Sequence, residues 1–421
     1  SYLAAIDLFQ RVDGFEEEAG LLGLSQALAQ TGEYDQAIEV LEDAISDYAA
    51  SARLSTQLAE LKRATGQSAE ALEILEAVVT GNTTPPVRAL VQYGSLLQYT
   101  GRRDEALGPL NAAIGRYDTG AVFEAEEIAM VAVASWLLDR FHDANSLFAE
   151  AVRLEPENLE AQVLWGDLFM EKFNVVDAEK SYNAALEINR RYTPALVGQA
   201  KISGGERSLA FALEVNPNAV AALETMATLL VMNDRAEEAM EYVDRALEVN
   251  SESLKSLSIL ASQAALHEEY DEYARLEAQV AGFSPGNARF YGDMADAFGN
   301  AYRFTEAVGY ARQAVAADPN YWQGHTLLGT NLIRLGQDEE GRVALELAFD
   351  NDPFNVMTSN MLKVFDTLEE YATLTTEHFE VRMSQRDARV LWPYMAPLLE
   401  ESWATLTAKY GFEPEAPVLV E

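Results

Sequence analysis

The chain has 421 residues, 49% of them hydrophobic, which is ample for a folded core and far from the composition of a disordered polymer. No stretch approaches the ~20 uninterrupted apolar residues of a membrane span, and with no cysteine there is no disulfide, thiol nucleophile or cysteine-based zinc site. Sixty-eight acids against 30 bases give a net charge of -38, a poor field for nucleic acid, whose phosphates call for clustered Lys and Arg. A cationic partner and a salty habitat both account for such acidity.

Residue 1 is Ser and no charged-then-apolar leader follows, so the chain reads as processed or truncated. Residues 1–14 read as the second helix of a repeat whose first half is missing. Acidity is densest early: no base lies between Arg11 and Arg53, whereas ten acids run from Asp13 to Asp47.

From residue 15 the chain repeats itself. The phrase EYDQAIEVLEDAI at 33–45 returns as QSAEALEILEAVV, RRDEALGPLNAAI, RFHDANSLFAEAV, NVVDAEKSYNAAL, RAEEAMEYVDRAL, EYDEYARLEAQV and RFTEAVGYARQAV. A small residue marks the equivalent point at Ala37, Ala71, Ala106, Ala144, Ala178, Ala239, Ala307 and Gly341, with Tyr273 as a departure. The steps are 34, 35, 38, 34, 61, 34, 34 and 34, so the 61 holds one full unit and one clipped to 27 around Ser203-Gly204-Gly205. Ten units emerge. The apolar period within each is helical, Gly32, Gly66, Gly101 and Gly336 suit helix-ending turns, and Pro156, Pro217, Pro285, Pro319 and Pro353 punctuate the joins between units. Two short helices cannot bury their apolar faces alone, so neighbouring units must stack.

These features resemble the tetratricopeptide repeat family. Its signature is met by Gln162-x2-Trp165-Gly166-x2-Phe169 with Ala178-x3-Tyr182 and Ala185, by His325-x2-Leu328-Gly329-x2-Leu332, and by Ala144-x3-Phe148 with Ala151 and Pro156. The resemblance implies an all-α, right-handed superhelical solenoid of about ten helix-turn-helix repeats over 15–353, closed by a capping helix at 354–374. It also implies a concave groove lined by the first helix of each unit, here Arg88, Gln98, Tyr99, Trp136, Asp167, Met170, Glu171, Arg289, Asp296, Asn300 and Arg334. Such a groove suits an extended peptide or a partner's helix. Trp165, by its motif position, is expected in the core. The Lys/Asn clamp that some relatives use for chaperone C-termini is missing, since Ser95, Val133, Asp167, Thr228, Ser262, Asp296 and Thr330 stand where its Asn would be sought.

Beyond Leu374 the pattern changes. Phe379, Val381 and Met383 alternate with polar residues as a short strand, a helix is expected from about Ala388 to Lys409, and PVLVE reads as a terminal strand lacking a partner. Residues 375–421 thus form a partial α/β segment. The runs EHFEVR at 377–382, LLEESW at 398–403 and YGF at 410–412 resemble the opening of peptidase-MA-like (gluzincin) domains, whose zinc-binding helix would come after this segment. A small unrelated α/β cap accounts for the same residues.

No H-E-x-x-H, phosphate loop or dinucleotide fingerprint occurs. Of the four histidines, His267 with Glu268 and Asp271 sits at a turn, His325 takes a core position of the repeat, and His142 and His378 carry no motif. Neither catalysis, a metal nor a cofactor is expected within these residues. The expectation is a scaffold or adaptor for a protein or peptide partner, with the charge read first as solvation of the surface and a cationic partner as the alternative. The alternatives are the recognition arm of a larger bacterial zinc peptidase and a self-assembling structural subunit. Compartment stays open, with periplasmic or extracellular placement favoured over cytoplasmic.

Overall fold

The computed structural model describes residues 2–9, 18–47, 51–368, 370–414 and 416–420. The chain divides into two compact units, Ser1–Gly324 and His325–Glu421. The first begins with the helix Tyr2–Phe9. The rest of the half-repeat expected over 1–14 lies outside the described residues, as do Asp13, Glu16 and Glu17 of the acidic run.

Nine antiparallel helix pairs then follow. Pairs 1 to 3 are Glu18–Thr31 with Tyr34–Asp47, Ala52–Ala64 with Ser68–Gly81, and Val87–Tyr99 with Arg103–Asp118. Pairs 4 to 6 are Ala125–Leu137 with Phe141–Leu154, Leu159–Glu171 with Val175–Ile188, and Thr193–Ser203 with Glu206–Val215. Pairs 7 to 9 are Val220–Met232 with Ala236–Val249, Leu254–Leu266 with Tyr270–Phe283, and Ala288–Asn300 with Phe304–Ala317. The clipped sixth unit keeps both helices at 11 and 10 residues.

Small residues set the approach within pairs. The alanines at 37, 71, 106, 144, 178, 239 and 307 are fully buried. At Gly166 an added Cβ would stand 2.6 Å from the ring of fully buried Tyr182, so only glycine lets this aromatic lie between the helices. Tyr273 breaks the small-residue rule, and its ring lies against Phe290 and Tyr310, with centroids 6.5 and 6.1 Å away.

The turn inside every pair contains one residue in the left-handed region. In this unit Gly32, Gly66, Gly101 and Gly204 supply it, and so do Asp139, Phe173, Asp234, Glu268 and Tyr302. The same bonds close both kinds of turn: Glu33 N–H to Leu28 C=O at 3.0 Å, and Arg140 N–H to Ser135 C=O at 2.9 Å. Turns between pairs are held by short polar side chains that accept from the backbone two residues on. Asn189, Asn216, Asn250 and Asp318 receive the N–H of Arg191, Asn218, Glu252 and Asn320 at 2.9–3.0 Å.

The second unit contains the tenth pair, Trp322–Arg334 with Asp338–Asn351, whose first helix begins just before the boundary, and then the helix Val356–Leu368. A three-stranded sheet follows. Strand β1 (Tyr371–Thr375) pairs antiparallel with β2 (Phe379–Ser384), Tyr371 opposite Ser384, and β3 (Val418–Val420) lies parallel to β2. Two expectations change here. Helix expected as far as residue 374 ends at Leu368, because Tyr371–Thr375 completes a hairpin whose five residues are too few to show a period. The terminal strand expected to lack a partner has one: it pairs with Phe379–Val381. The helix Gln385–Tyr410 is capped by Ser384, which accepts the Asp387 N–H at 3.1 Å, and ends at Gly411, φ 62°. Arg382 pairs with Asp338 and so ties the sheet to the tenth pair.

Candidate functional site

The first helices of pairs 3, 4, 5, 8 and 9 begin at Val87, Ala125, Leu159, Leu254 and Ala288. The second residue of each is charged: Arg88, Glu126, Glu160, Lys255 and Arg289. Helical stacking carries these positions to one face and lets them meet across neighbouring pairs. Arg88 binds both oxygens of Glu160, at 2.9 and 2.6 Å, and reaches Glu126 at 3.0 Å and Glu60 at 3.9 Å. Burial works against the Arg88 charge, but the bonds to Glu160 and the fields of Glu60 and Glu126 outweigh it, and its pKa is raised. Burial also pushes the Glu60 carboxyl up, opposed by Arg88 and by the amide of Gln92, which donates at 2.8 Å.

Further along, the Trp136 indole N–H donates to Glu171 at 2.9 Å and the Gln98 amide donates to the Leu137 carbonyl at 2.9 Å. Asp167 accepts from Tyr182 at 2.7 Å and is pushed up by burial, with Lys201 pulling the other way. Met170 packs on the core around Phe169 and Tyr182. Lys255 binds Asp293 at 2.8 Å, and Glu224, raised by burial, accepts from Ser253 and from Ser256. Asn300 donates to Asp296 at 3.3 Å, and in the second unit Arg334 donates to Asn331 at 3.4 Å.

Arg289 of pair 9 sits in the field of Glu171 of pair 5, together with Tyr321 and Asp293. Surrounding protein opposes its charge, these partners outweigh that, and its pKa is raised. Arg289 and Asp296 are nonetheless exposed, so water reaches both and screens their charges.

Ten of the eleven groove residues named from the sequence thus lie in the first unit, most of them already bonded to neighbours, and Arg334 lies in the second. Glu60, Glu126, Glu160, Lys255 and Asp293 complete the network and were not named. For Glu126, Glu160 and Lys255 the signal was present, because they share the register of Arg88 and Arg289. Trp165, expected in the core, is only half-buried. Its indole donates to Asn145 at 2.8 Å, and with Phe141 and Phe169 it walls a cleft beside Ser181. His325 is buried, and His267 is exposed with its ring on the Gln263 carbonyl at 2.9 Å. His378 has a clear role in the tail: its Nδ1 lies 2.6 Å from Glu400 and its ring stacks on Trp403 at 4.3 Å. Hydrogen bonds from Thr376 first, then from His378, hold the Glu400 carboxyl down at about 2. Among the described residues no cluster of three or more His, Asp or Glu is placed to hold a metal.

Sequence models of the tetratricopeptide repeat match residues 28–93 and 136–192. These segments are tetratricopeptide repeats. They cover pair 2 and parts of pairs 1 and 3, then the second helix of pair 4 and all of pair 5, and the stacked pairs around them have the same helix-turn-helix geometry.

A rice protein named as an SGT1 homolog is 26% identical over 141 residues, 34% of this chain and 37% of its own length. The mouse DnaJ homolog subfamily C member 7 is 27% identical over 114 residues, 27% of this chain and 23% of its own length. The match therefore spans well under half of these curated relatives. Among solved structures, a tetratricopeptide repeat protein from Parabacteroides merdae aligns over 56% of this chain and 99% of its own, at 18% identity and TM-score 0.36. Yeast Tom70 aligns over 88% of this chain and 86% of its own, at 14% identity and TM-score 0.38.

Proposed function

We propose that the chain is a protein-interaction scaffold whose inner face, lined by the first helices, holds an extended peptide or a helix of a protein partner. The observation that carries this reading is the row of charged residues at one helical position, Arg88, Glu126, Glu160, Lys255 and Arg289, with Trp136 beside them on a water-accessible face. Fixed charges of both signs at repeat spacing give a partner register, and an aromatic gives it an anchor. The repeats identified in the chain supply the architecture for such a face.

The net charge of -38 supports a partner segment carrying Lys and Arg among its apolar residues. Binding kinetics with the native partner test both statements. Trp136→Ala and Arg289→Ala are expected to speed release, whereas Glu179→Ala, on a second helix, leaves it unchanged. Raising salt is expected to slow association far more than it alters release. Equal effects from Glu179→Ala and Trp136→Ala would remove the inner face from the reading, and salt-insensitive association would remove the cationic partner.

A further inference from the structure

The first unit is stitched to itself. Turns inside pairs 1, 2 and 3 touch turns that follow pairs 6, 7 and 8, at a constant offset in sequence: Gly32 against Asn216, Gly66 against Asn250, Gly101 against Pro285. At the first rung Asn216 donates to the Ala29 carbonyl at 3.1 Å and to the Tyr34 hydroxyl at 3.3 Å, and Asn218 donates to the Gly32 carbonyl at 3.0 Å. At the second, Asn250 donates to the Arg63 carbonyl at 3.4 Å, and the Ser68 N–H donates to Glu252 at 3.1 Å. At the third, Tyr99 donates to the Glu252 carbonyl, Ser284 donates to the Tyr99 carbonyl, and the Tyr99 ring stacks on Phe283 at 5.8 Å. Beyond it Arg103 pairs with Asp318 of the turn after pair 9.

We infer that this seam is a latch that holds the inner face closed and must part for a partner to enter. Three features support a latch over permanent packing. Its first two rungs are polar, and although Asn216 is buried, Asn218, Asn250 and Glu252 keep contact with solvent. Such bonds add little net free energy each, so they can exchange with water. The seam joins two stretches of one strongly acidic chain, whose mutual repulsion works to part them. Tyr99 belongs both to the seam and to the groove positions, so its place in the seam and its service to a partner exclude each other. The inference rests on the inner face being the binding face.

The test uses substitutions that spare the turns. In Asn216→Asp and Asn250→Asp a carboxylate oxygen still accepts the local N–H while the donation across the seam is lost, and Asn218→Asp removes the remaining amide donor. Spin labels on Glu33→Cys and Glu214→Cys, in a chain with no native cysteine, report the distance across the first rung. Separately, Met170→Cys reports access to the inner face through its rate of reaction with a polyethylene-glycol maleimide too bulky for a closed lumen.

The triple aspartate variant is expected to lengthen the interspin distance and to speed the maleimide reaction several-fold, with helix content unchanged. An unchanged distance would overturn the latch, and a longer distance without faster labelling would overturn its control of access. Neither result depends on a partner, so failure of the binding reading itself would show only in the release kinetics of Trp136→Ala. If the triple variant does not fold, Tyr99→Phe with Ser284→Ala removes the third rung's bonds while keeping the ring, and the same outcomes apply.

Discussion

Tyr99 and Glu252 stand 153 residues apart, and the hydroxyl of one donates to the backbone carbonyl of the other. The ring also packs on the core that pairs 8 and 9 share, which holds Leu254, Leu257 and Phe290. One side chain thus joins pair 3 to pair 8 by a hydrogen bond and by apolar contact. Tyr99→Ala is expected to lower stability by about 2 kcal/mol, the value for removing a half-buried aromatic. Tyr99→Phe keeps the ring and is expected to cost about 1 kcal/mol for the lost bond. Urea unfolding of the two variants against the parent chain gives both numbers.

Arg88 pairs with Glu60, Glu126 and Glu160, and it keeps 23% of its side-chain surface exposed. Arg88→Leu leaves three carboxylates facing one another. The acids themselves are 39–61% exposed, so solvent screening holds the expected loss to about 1–2 kcal/mol. Arg88→Lys cannot reproduce the two-point bond to Glu160 and is expected to recover less than half of it. Added salt should narrow the gap between Arg88→Leu and the parent, which thermal melts at two ionic strengths would measure.

Two glycines separate close packing from backbone freedom. Gly166→Ala drives a methyl group into the Tyr182 ring and is expected to cost about 1–3 kcal/mol by overpacking. Gly336→Ala meets open space but keeps φ at 72°, so its cost is expected to be about 1 kcal/mol, from the backbone alone. A cavity made by Tyr182→Leu should soften the first substitution and leave the second unchanged. Denaturation of the double variant checks this coupling.

In the tail, the pH response has a definite sign. Glu400 falls from an ordinary value of 4.5 to about 2 in the folded protein, so its contribution is complete above pH 4.5 and disappears as pH drops towards 2. Trp403, stacked on His378 beside this carboxylate, reports the event by fluorescence. Loosening of the Trp403 environment is expected in that window, and Glu400→Gln should reduce the pH dependence of its fluorescence there.

Much of the repeat architecture was legible because it is periodic. Recurring Ala, Gly and Pro at 34-residue spacing state a local packing rule many times over, and the clipped sixth unit was visible as a short step. Turns built on Phe173, Glu268 and Tyr302 were not, since nothing in those residue types announces a left-handed backbone, and the mild left-handed preference of aspartate at Asp139 and Asp234 is too common to mark a turn. The repeat's own hydrogen bonds impose it. Strand β1 escaped notice because a five-residue edge strand has almost no period of its own.

The row of charged positions was half legible. Helical register identified Arg88 and Arg289, and the same register held for Glu126, Glu160 and Lys255. That Tyr99 meets Glu252, or that Arg289 sits in the field of Glu171, depends on how the stacked pairs curve, and no local pattern in the sequence encodes that curvature.

Site-specific photo-crosslinking tests the central claim most directly. A benzophenone amino acid at Met170 or Asn300, on first helices, is expected to capture a protein from the native organism. The same probe at Glu179 or Glu241, on second helices, should capture none. Capture from Met170 should be competed by excess unlabelled chain and much less by chain carrying Trp136→Ala. Adducts that form equally from Glu179 and Glu241, or competition unaffected by Trp136→Ala, would contradict the inner face as the binding surface.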